Sequence, residues 1–331
     1  MTNIRGTRRA GRKKSIILPI VVVFLLLFLW HTTSSSNDVF SFSFVVVEPE
    51  DTTTPSERSA DCENGSNIVQ PASSSSSHDS SRNPVVRNTF AGFTDEELLP
   101  MIQLFTMVKA PHLNLAFRAI KRVNELGIEG DVVECGVWKG GVSMGMLIVN
   151  QRHNTDRHFW LFDTFEGLPE PTDTRNGKRA QRLFRQIQAK EEKNSTTPMI
   201  ERLYRTKDIE EGKWNYGPLD VVQNNLYFSG YPKDKVHFVK GKVEDTLSDK
   251  TQKIPEKIAI LRLDTDWYES TKIELEVLYD RLQPGGLLIL DDYCNWPGAR
   301  KATEEFFRDK LGIDTKPLSN TQPCFHYWKP K

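Results

Sequence analysis

The sequence predicts an α/β fold, a doubly wound sheet of mostly parallel strands, and three observations carry that reading. From Phe93 onward, short apolar runs alternate with helix-like ones, the pattern that stacks helices on both faces of a parallel sheet. Residues 258–293 read strand, helix, strand: IAILRLD, an amphipathic stretch, then LLILDD. That order calls for a right-handed crossover and parallel neighbours. Finally, VVEC leads through the glycine-rich turn GVWKGG into another helix.

In chain order, residues 1–15 form a basic tail with Arg5, Arg8, Arg9, Arg12, Lys13 and Lys14 and no acid. Ile16–Trp30 is almost purely apolar. As a helix it is about 22 Å long, short of a ~30 Å hydrocarbon core, and Lys13, Lys14 and Trp30 extend its reach by snorkelling and interfacial anchoring. A cleaved signal peptide and an uncleaved signal anchor compete here. The absence of an Ala-x-Ala site favours the anchor, and the positive-inside rule then puts everything after Trp30 in the lumen of the Golgi or ER, as a single-pass type II membrane protein; cleavage would give a secreted one. Residues 31–92 are Ser-rich and too polar to bury a core, which makes them a disordered stem; the alternating run Val39–Val47 within it has no assigned role. Sequons at Asn64 and Asn194 agree with a lumenal glycoprotein.

Residues 93–331 form the globular domain. The stretch 93–108 is a helix with Thr94 as N-cap and Glu97 completing a capping box. A second helix places Leu113, Ala116, Phe117, Ile120, Val123 and Leu126 on one face and stops at Gly127. Val132–Cys135 is a strand, followed by a helix from about Gly141. HFWLFD is a strand ending at Asp163. Residues 172–218 are polar and rich in Lys and Glu, an insertion with an amphipathic helix around Arg179–Lys190 and a candidate lid. PLDVVQNNLYFSG is a helix, VHFVKG a strand. Ser270–Leu282 is a helix that the turn Gln283–Gly286 stops. ARKATEEFFRDKLG is the last helix and CFHYWK the last strand. With 44 basic and 44 acidic residues the net charge is +0, so no nucleic-acid partner is expected. The four cysteines, Cys62, Cys135, Cys294 and Cys324, match no zinc spacing.

Two places carry chemistry. Parallel strands bring Asp264, Asp291 and Asp292 to one sheet edge, where open α/β sheets bind ligands. Three converging carboxylates repel one another unless a cation sits between them, and oxygen donors suit a hard one such as Mg2+ or Ca2+. The turn Glu134–Gly141 leaves free N–H groups at a helix start, and Asp163 at the next strand end can accept ribose hydroxyls. The turn is neither GxGxxG nor GxxxxGK[ST], which disfavours dinucleotides and excludes a P-loop. A nucleoside without a pyrophosphate, such as S-adenosylmethionine, fits.

VVECGVWKGG, LFDTFEGLP, VKGKVEDTL, LRLDTDWYEST and PGGLLILDDY, in this order, resemble the macrocin O-methyltransferase family of class I S-adenosylmethionine-dependent enzymes, over Phe93 to the C-terminus. The resemblance implies a seven-stranded Rossmann-like methyltransferase sheet of order 3-2-1-4-5-7-6 with the last strand antiparallel. It implies that Glu134, Gly136 and Gly140 line the methionine end of the cofactor, that Asp163 holds the ribose, and that Glu244 or Asp245 lies near the adenine amino group. It implies Mg2+, or another divalent cation, on Asp264, Asp291 and Asp292. Val243 departs from the family's aromatic residue and Thr265 from its usual Gly; the second difference is expected to matter little. In the implied sheet Cys294 and Cys324 come close enough for a disulfide. The implied reaction is methyl transfer to a sugar or glycan hydroxyl, with Asp264 or Asp266 as general base and Trp267, Tyr268 and Trp296 available to stack on the sugar. The expected partners are a small-molecule or glycan acceptor, the membrane through the anchor, and further copies of the chain in a homo-oligomer. The competing readings are a catechol-type O-methyltransferase acting on a phenol and a membrane-tethered binding protein of the same fold without catalysis.

Overall fold

The computed structural model describes residue 90 and residues 92–153, 155–191, 209–210, 213–318, 323 and 325–331. The tail, the Ile16–Trp30 anchor, nearly all of the 31–92 stem with Val39–Val47, both sequons, Cys62 and Cys324 lie outside them. Among the described residues no helix is long and apolar enough to cross a membrane.

The domain opens with α1 (Asp95–Ile102). Thr94 Oγ1 accepts from Glu97 N (3.3 Å) and Glu97 Oε2 accepts from Thr94 N (2.8 Å), so two N–H groups that the helix leaves unpaired are satisfied reciprocally, as the S/T-x-x-E pattern predicts. In α2 (Ala110–Glu125) the predicted face from Leu113 to Val123 is buried. Leu126, predicted on that face, is 49% exposed, because it caps the helix where the chain leaves the core.

The main sheet is built from β1 (Asp131–Cys135), β2 (Phe159–Asp163), β5 (Val236–Lys240), β6 (Ile258–Leu263), β7 (Leu282–Leu290) and β8 (Phe325–Trp328) in the order β5-β2-β1-β6-β7-β8. Only the β7–β8 pair is antiparallel. Among the described residues this sheet has six strands, not seven. The antiparallel last strand sits beside β7 as implied, but the outer edge strand is not found among the described residues. The stretch that would supply it, Ile313–Leu318, reads IDTKPL; its Pro removes a ladder donor, and it forms bends and turns. A two-residue hairpin, β3 (Ile209–Glu210) with β4 (Lys213–Trp214), stands apart inside the insertion.

The helices α3 (Gly141–Gln151), α5 (Leu219–Tyr227), α7 (Tyr268–Leu278) and α8 (Pro297–Phe306) lie where the alternation put them. Within the insertion α4 runs Gly177–Glu191, and a short α6 covers Val243–Thr246. Boundaries differ in places, and α1 ends at Ile102, short of the expected 108, with only a 3-10 turn over Gln103–Phe105 beyond it. The expected turn Gln283–Gly286 belongs to β7, and α7 ends earlier, at Leu278. Pro284 has no N–H to donate, so this first part of the strand is irregular against β6. It pairs instead with the chain's tail: Gly285 N–H donates to Lys329 O (2.8 Å) and Lys329 N–H to Gly286 O (2.9 Å).

The core lies between sheet and helices. All six residues of β6 are buried, as in a strand covered on both faces. Each buried Leu or Ile there contributes roughly 1.5–3 kcal/mol. The exception in kind is Arg262, a guanidinium 2% exposed in the middle of the sheet.

Candidate active site

The C-terminal edge of the sheet holds the site. Chain order runs outward from β1 through β2 to β5 on one side, then from β6 to β7 on the other, so β1 and β6 flank the switch point where such sheets bind ligands. A cleft of about 390 Å³ opens there, within the usual range for small-molecule sites.

Register explains the acidic cluster. Leu263 of β6 pairs with Leu290 of β7, so the next residues, Asp264 and Asp291, emerge side by side. Asp264, Asp291 and Asp292 each offer an oxygen within 4.8 Å of the others, as the strand–helix–strand reading requires. Gly136 allows the close approach of β1 to this edge: at its φ of +81°, a Cβ would meet Asp264 O at 1.9 Å. The glycine is therefore a packing requirement as well as part of the cleft wall.

Arg262 organises the cluster and was not singled out from sequence. Its Nη1 contacts Glu134 Oε1 (2.8 Å), and its Nη2 contacts Asp264 Oδ2 (2.8 Å) and Asp291 Oδ1 (3.1 Å). His112 Nδ1, on α2, also contacts Asp291 Oδ1 at 2.9 Å. Burial pushes Asp291 up, but Arg262 and His112 outweigh it and hold the carboxyl below its ordinary value. Asp264 rises to about 6 through burial, against the pull of Arg262. Asp266, in the left-handed region at φ 66°, is pushed to about 7 by burial and the charge of Asp264. Asp292 has no cationic contact among the described residues. It accepts from Asp266 N (2.9 Å), and burial with three acidic neighbours pushes it well above the ordinary range. An all-oxygen donor set with one buried carboxylate lacking a counter-charge fits a hard divalent cation. Arg262 engages one oxygen each of Asp264 and Asp291 and makes no contact with Asp292 among the described residues.

The predicted cofactor residues divide. Gly136, Asp163 and Glu244 line the cleft. Glu134 does not: it is 1% exposed, pairs with Arg262, accepts from Ser143 Oγ, and is pushed up to about 7 by burial. Its position supports Arg262 from below. Gly140 caps α3 in the left-handed conformation and faces Val222 and Leu226 of α5 rather than the cleft. Asp245 is exposed and outside the lining. Asp163 is raised by burial and already accepts from Val137 N (2.6 Å), Trp138 N (3.1 Å) and Phe165 N (2.8 Å). With about four lone-pair positions on a carboxylate, it has room for roughly one ribose hydroxyl, not the two expected. Val243 is buried in the cleft wall. Thr265, whose difference from the family was expected to matter little, donates its hydroxyl to Glu274 (3.0 Å), a carboxyl with no exposure.

Above the acids stands a tryptophan cluster. Trp267 and Trp296 lie 5.2 Å apart between ring centroids, and Trp214 of β4 is 6.0 Å from each. All three line the cleft with Arg179 of α4, whose guanidinium lies 5.1 Å over Trp296. Parts of the 172–218 insertion thus wall the site. Tyr268, expected at the sugar, is turned away: its hydroxyl donates to Glu305 (2.6 Å) and Arg175 covers its ring at 3.5 Å. Cys294 is an exposed thiol; its expected partner Cys324 lies outside the described residues. Arg262 left one signal in the sequence, a charge inside an otherwise apolar strand. His112, Trp214 and Arg179 left none, since long-range packing brings them in.

Comparison with known proteins gives a consistent result. The family model described as macrocin-O-methyltransferase matches residues 94–196 and 201–330. The chain is 33% identical over 226 residues to the 8-demethyl-8-(2,3-dimethoxy-alpha-L-rhamnosyl)-tetracenomycin-C 4'-O-methyltransferase of Streptomyces olivaceus, covering 68% of this chain and 75% of that protein. It is 31% identical over 209 residues to the mycinamicin III 3''-O-methyltransferase of Micromonospora griseorubida, covering 63% and 72%. The structure of the O-methyltransferase NovP aligns with a TM-score of 0.53 at 24% identity, over 69% of this chain and 83% of that one, a likeness of fold.

Proposed function

The chain belongs to the macrocin-O-methyltransferase family of S-adenosylmethionine-dependent O-methyltransferases, and from that premise we propose that it methylates a sugar hydroxyl seated over the Asp264–Asp291–Asp292 cluster with the help of a divalent cation. The observation that carries this reading is the cluster's position, with ligand atoms within 4.8 Å of one another, at the switch point of a sheet whose other half presents Gly136, Asp163 and Glu244 to the same cleft. The rhamnosyl group in the name of the Streptomyces olivaceus relative supports a sugar acceptor.

When bound, S-adenosylmethionine would supply the electrophilic methyl group, and Asp264, Asp291 and Asp292 would hold a cation whose chemistry would be to lower the acceptor hydroxyl's pKa. The chain's own residues do the rest. Asp163 and Glu244 hold the nucleoside end on the β2 and β5 side. Trp214, Trp267 and Trp296 exclude water and present an apolar wall to the sugar. Asp266 lines the same cleft and takes the hydroxyl proton as general base; Asp264, the other expected base, is tied to Arg262 and serves better as a fixed anion. The anchor, as proposed from the sequence, places this chemistry in a lumen; digestion of the domain by protease added to sealed microsomes without detergent would refute that location.

The test is transfer of labelled methyl from S-adenosylmethionine to a panel of glycans and phenols, with and without EDTA. Transfer to sugars that EDTA abolishes is expected. Asp266→Asn should lose about 100- to 10,000-fold in turnover, and Asp292→Asn should lose cation binding. Full activity of Asp291→Asn and Asp292→Asn in EDTA would remove the cation, and transfer to phenols alone would remove the sugar.

A further inference from the structure

Helix α4 flanks the cleft and carries a row of exposed cations: Lys178, Arg179, Arg182 and Arg185. No acid precedes Glu191 in it. Among the described residues none of the four has a carboxylate partner, although Arg179 lines a cleft that contains five aspartates. Its guanidinium lies over the face of Trp296, at 5.1 Å. The orientation of the row is fixed, because Ala180 (0% exposed) and Phe184 (8%) are buried on the opposite face.

This arrangement works against the helix itself. Cations in the first turn oppose the helix dipole, and α4 has no acid there, whereas α1 has Asp95, Glu96 and Glu97 in that place. Lys178 with Arg182, Arg179 with Arg182 and Arg182 with Arg185 are like-charge neighbours at spacings of three and four, each mildly destabilising. In a chain with net charge +0, such a row is local, not a reflection of overall composition.

We propose that α4 is the docking surface for the acceptor and that the acceptor is a uronate-bearing oligosaccharide. The inference rests on the sugar-hydroxyl reading above and adds the charge and length of the substrate. Arg179 to Arg185 spans about 9 Å along the helix axis, beyond the reach of one sugar in the cleft, so the surface contacts residues next to the one methylated. Three of the four cations are arginines, whose planar fork matches a carboxylate with two parallel hydrogen bonds. The aspartates repel an acceptor's own carboxylates from the metal end, while α4 attracts them. Arg179 stands between the two fields, so the neutral hydroxyl-bearing ring goes to the acids and the uronates lie along the helix.

The test uses the full-length chain and a double variant, Arg182→Ser/Arg185→Ser, at positions outside the cleft lining. Binding is measured without turnover, by calorimetry, to a uronate-rich oligosaccharide and to the same oligosaccharide after carboxyl reduction. Wild type should bind the uronate form more tightly, with affinity falling as salt rises. The double variant should bind it about tenfold more weakly, with unchanged affinity for the reduced form and an unchanged melting temperature. Equal affinity of wild type for both forms would overturn the proposal, as would a variant that binds the uronate form as wild type does. A preference for sulfated over uronate chains would overturn the carboxylate assignment. Loss of sedimentation with phosphatidylserine vesicles at unchanged oligosaccharide affinity would assign the row to a membrane instead. If the uronate form binds as described but no sugar receives a methyl group, the docking surface stands and the reaction assigned to the cleft falls.

Discussion

Arg262 is expensive to bury, and its value can be separated from its cost. Removing one member of a buried ion-pair cluster strands the remaining charges, so Arg262→Met should destabilise by about 3–5 kcal/mol in urea unfolding. Adding Glu134→Leu removes the carboxylate left alone below it and should recover at least half of that loss. Turnover should not recover, since Asp264 and Asp291 still lack the guanidinium that holds them. A double variant regaining full activity would reduce Arg262 to a packing residue. Glu274 makes a second case. Burial pushes it well above its ordinary value of 4.5, so the native state holds a proton that the unfolded chain releases. Its stabilising contribution is complete below about pH 4.5 and is lost as pH rises toward the folded value. Glu274→Gln keeps the shape without the titration, so its stability relative to wild type should improve from pH 5 to pH 8 in thermal unfolding; a constant difference would contradict this. The acids at the strand ends were readable because strand direction alone places them. Glu134 was harder to place, because the same residue type at a turn serves a ligand or a buried cation equally well; the structure puts it against Arg262.

At the scale of elements, one of the joints that hold the insertion can be tested by itself. Asn176 Oδ1 accepts from Tyr268 N (2.7 Å) at the start of α7, just ahead of α4, and it fits only because Gly298 has no side chain: a Cβ there would lie 2.1 Å from that oxygen. Gly298→Ala should therefore break the joint, leave a buried N–H unpaired at a cost of about 1–3 kcal/mol, and release the wall that carries Arg179. The expected signature is a raised KM for the acceptor with unchanged affinity for S-adenosylhomocysteine, together with faster proteolysis near residues 177–191. Cofactor affinity falling in parallel would show that the damage reaches the sheet. The helix of the insertion was readable from its amphipathic period, but its relation to the cleft was not. That relation depends on Asn176, Gly298 and the contacts of Trp214, which are far apart in sequence. Likewise PGG reads locally as a helix stop, and it entered β7 only because the tail at Lys329 offers its backbone as a partner.

For the whole molecule the two halves of the cleft should be separable by linkage. On the proposed reading the nucleoside would rest on β5, β2 and β1 and the cation on β6 and β7, two halves that meet where Gly136 passes Asp264. The strand order across this edge followed from the family resemblance, and the edge strand that failed to appear was the part no local motif had supported. A ligand at 100 times its Kd stabilises the native state by about 2.7 kcal/mol, which for a domain of this size raises the melting temperature by roughly 5–11 °C. S-adenosylhomocysteine and Mn2+ should each produce such a rise in the full-length chain, with EDTA reversing only the second. Asp292→Asn should lose the Mn2+ shift and keep the S-adenosylhomocysteine shift, since its carboxylate faces only the acidic cluster. Asp163→Ala should do the opposite, and its loss should be partial, because the residue offers a ribose roughly one position while three backbone N–H groups occupy the others. If either variant loses both shifts, the two sites are not independent supports of the fold, and the contact between Gly136 and Asp264 transmits more than the packing of two strands.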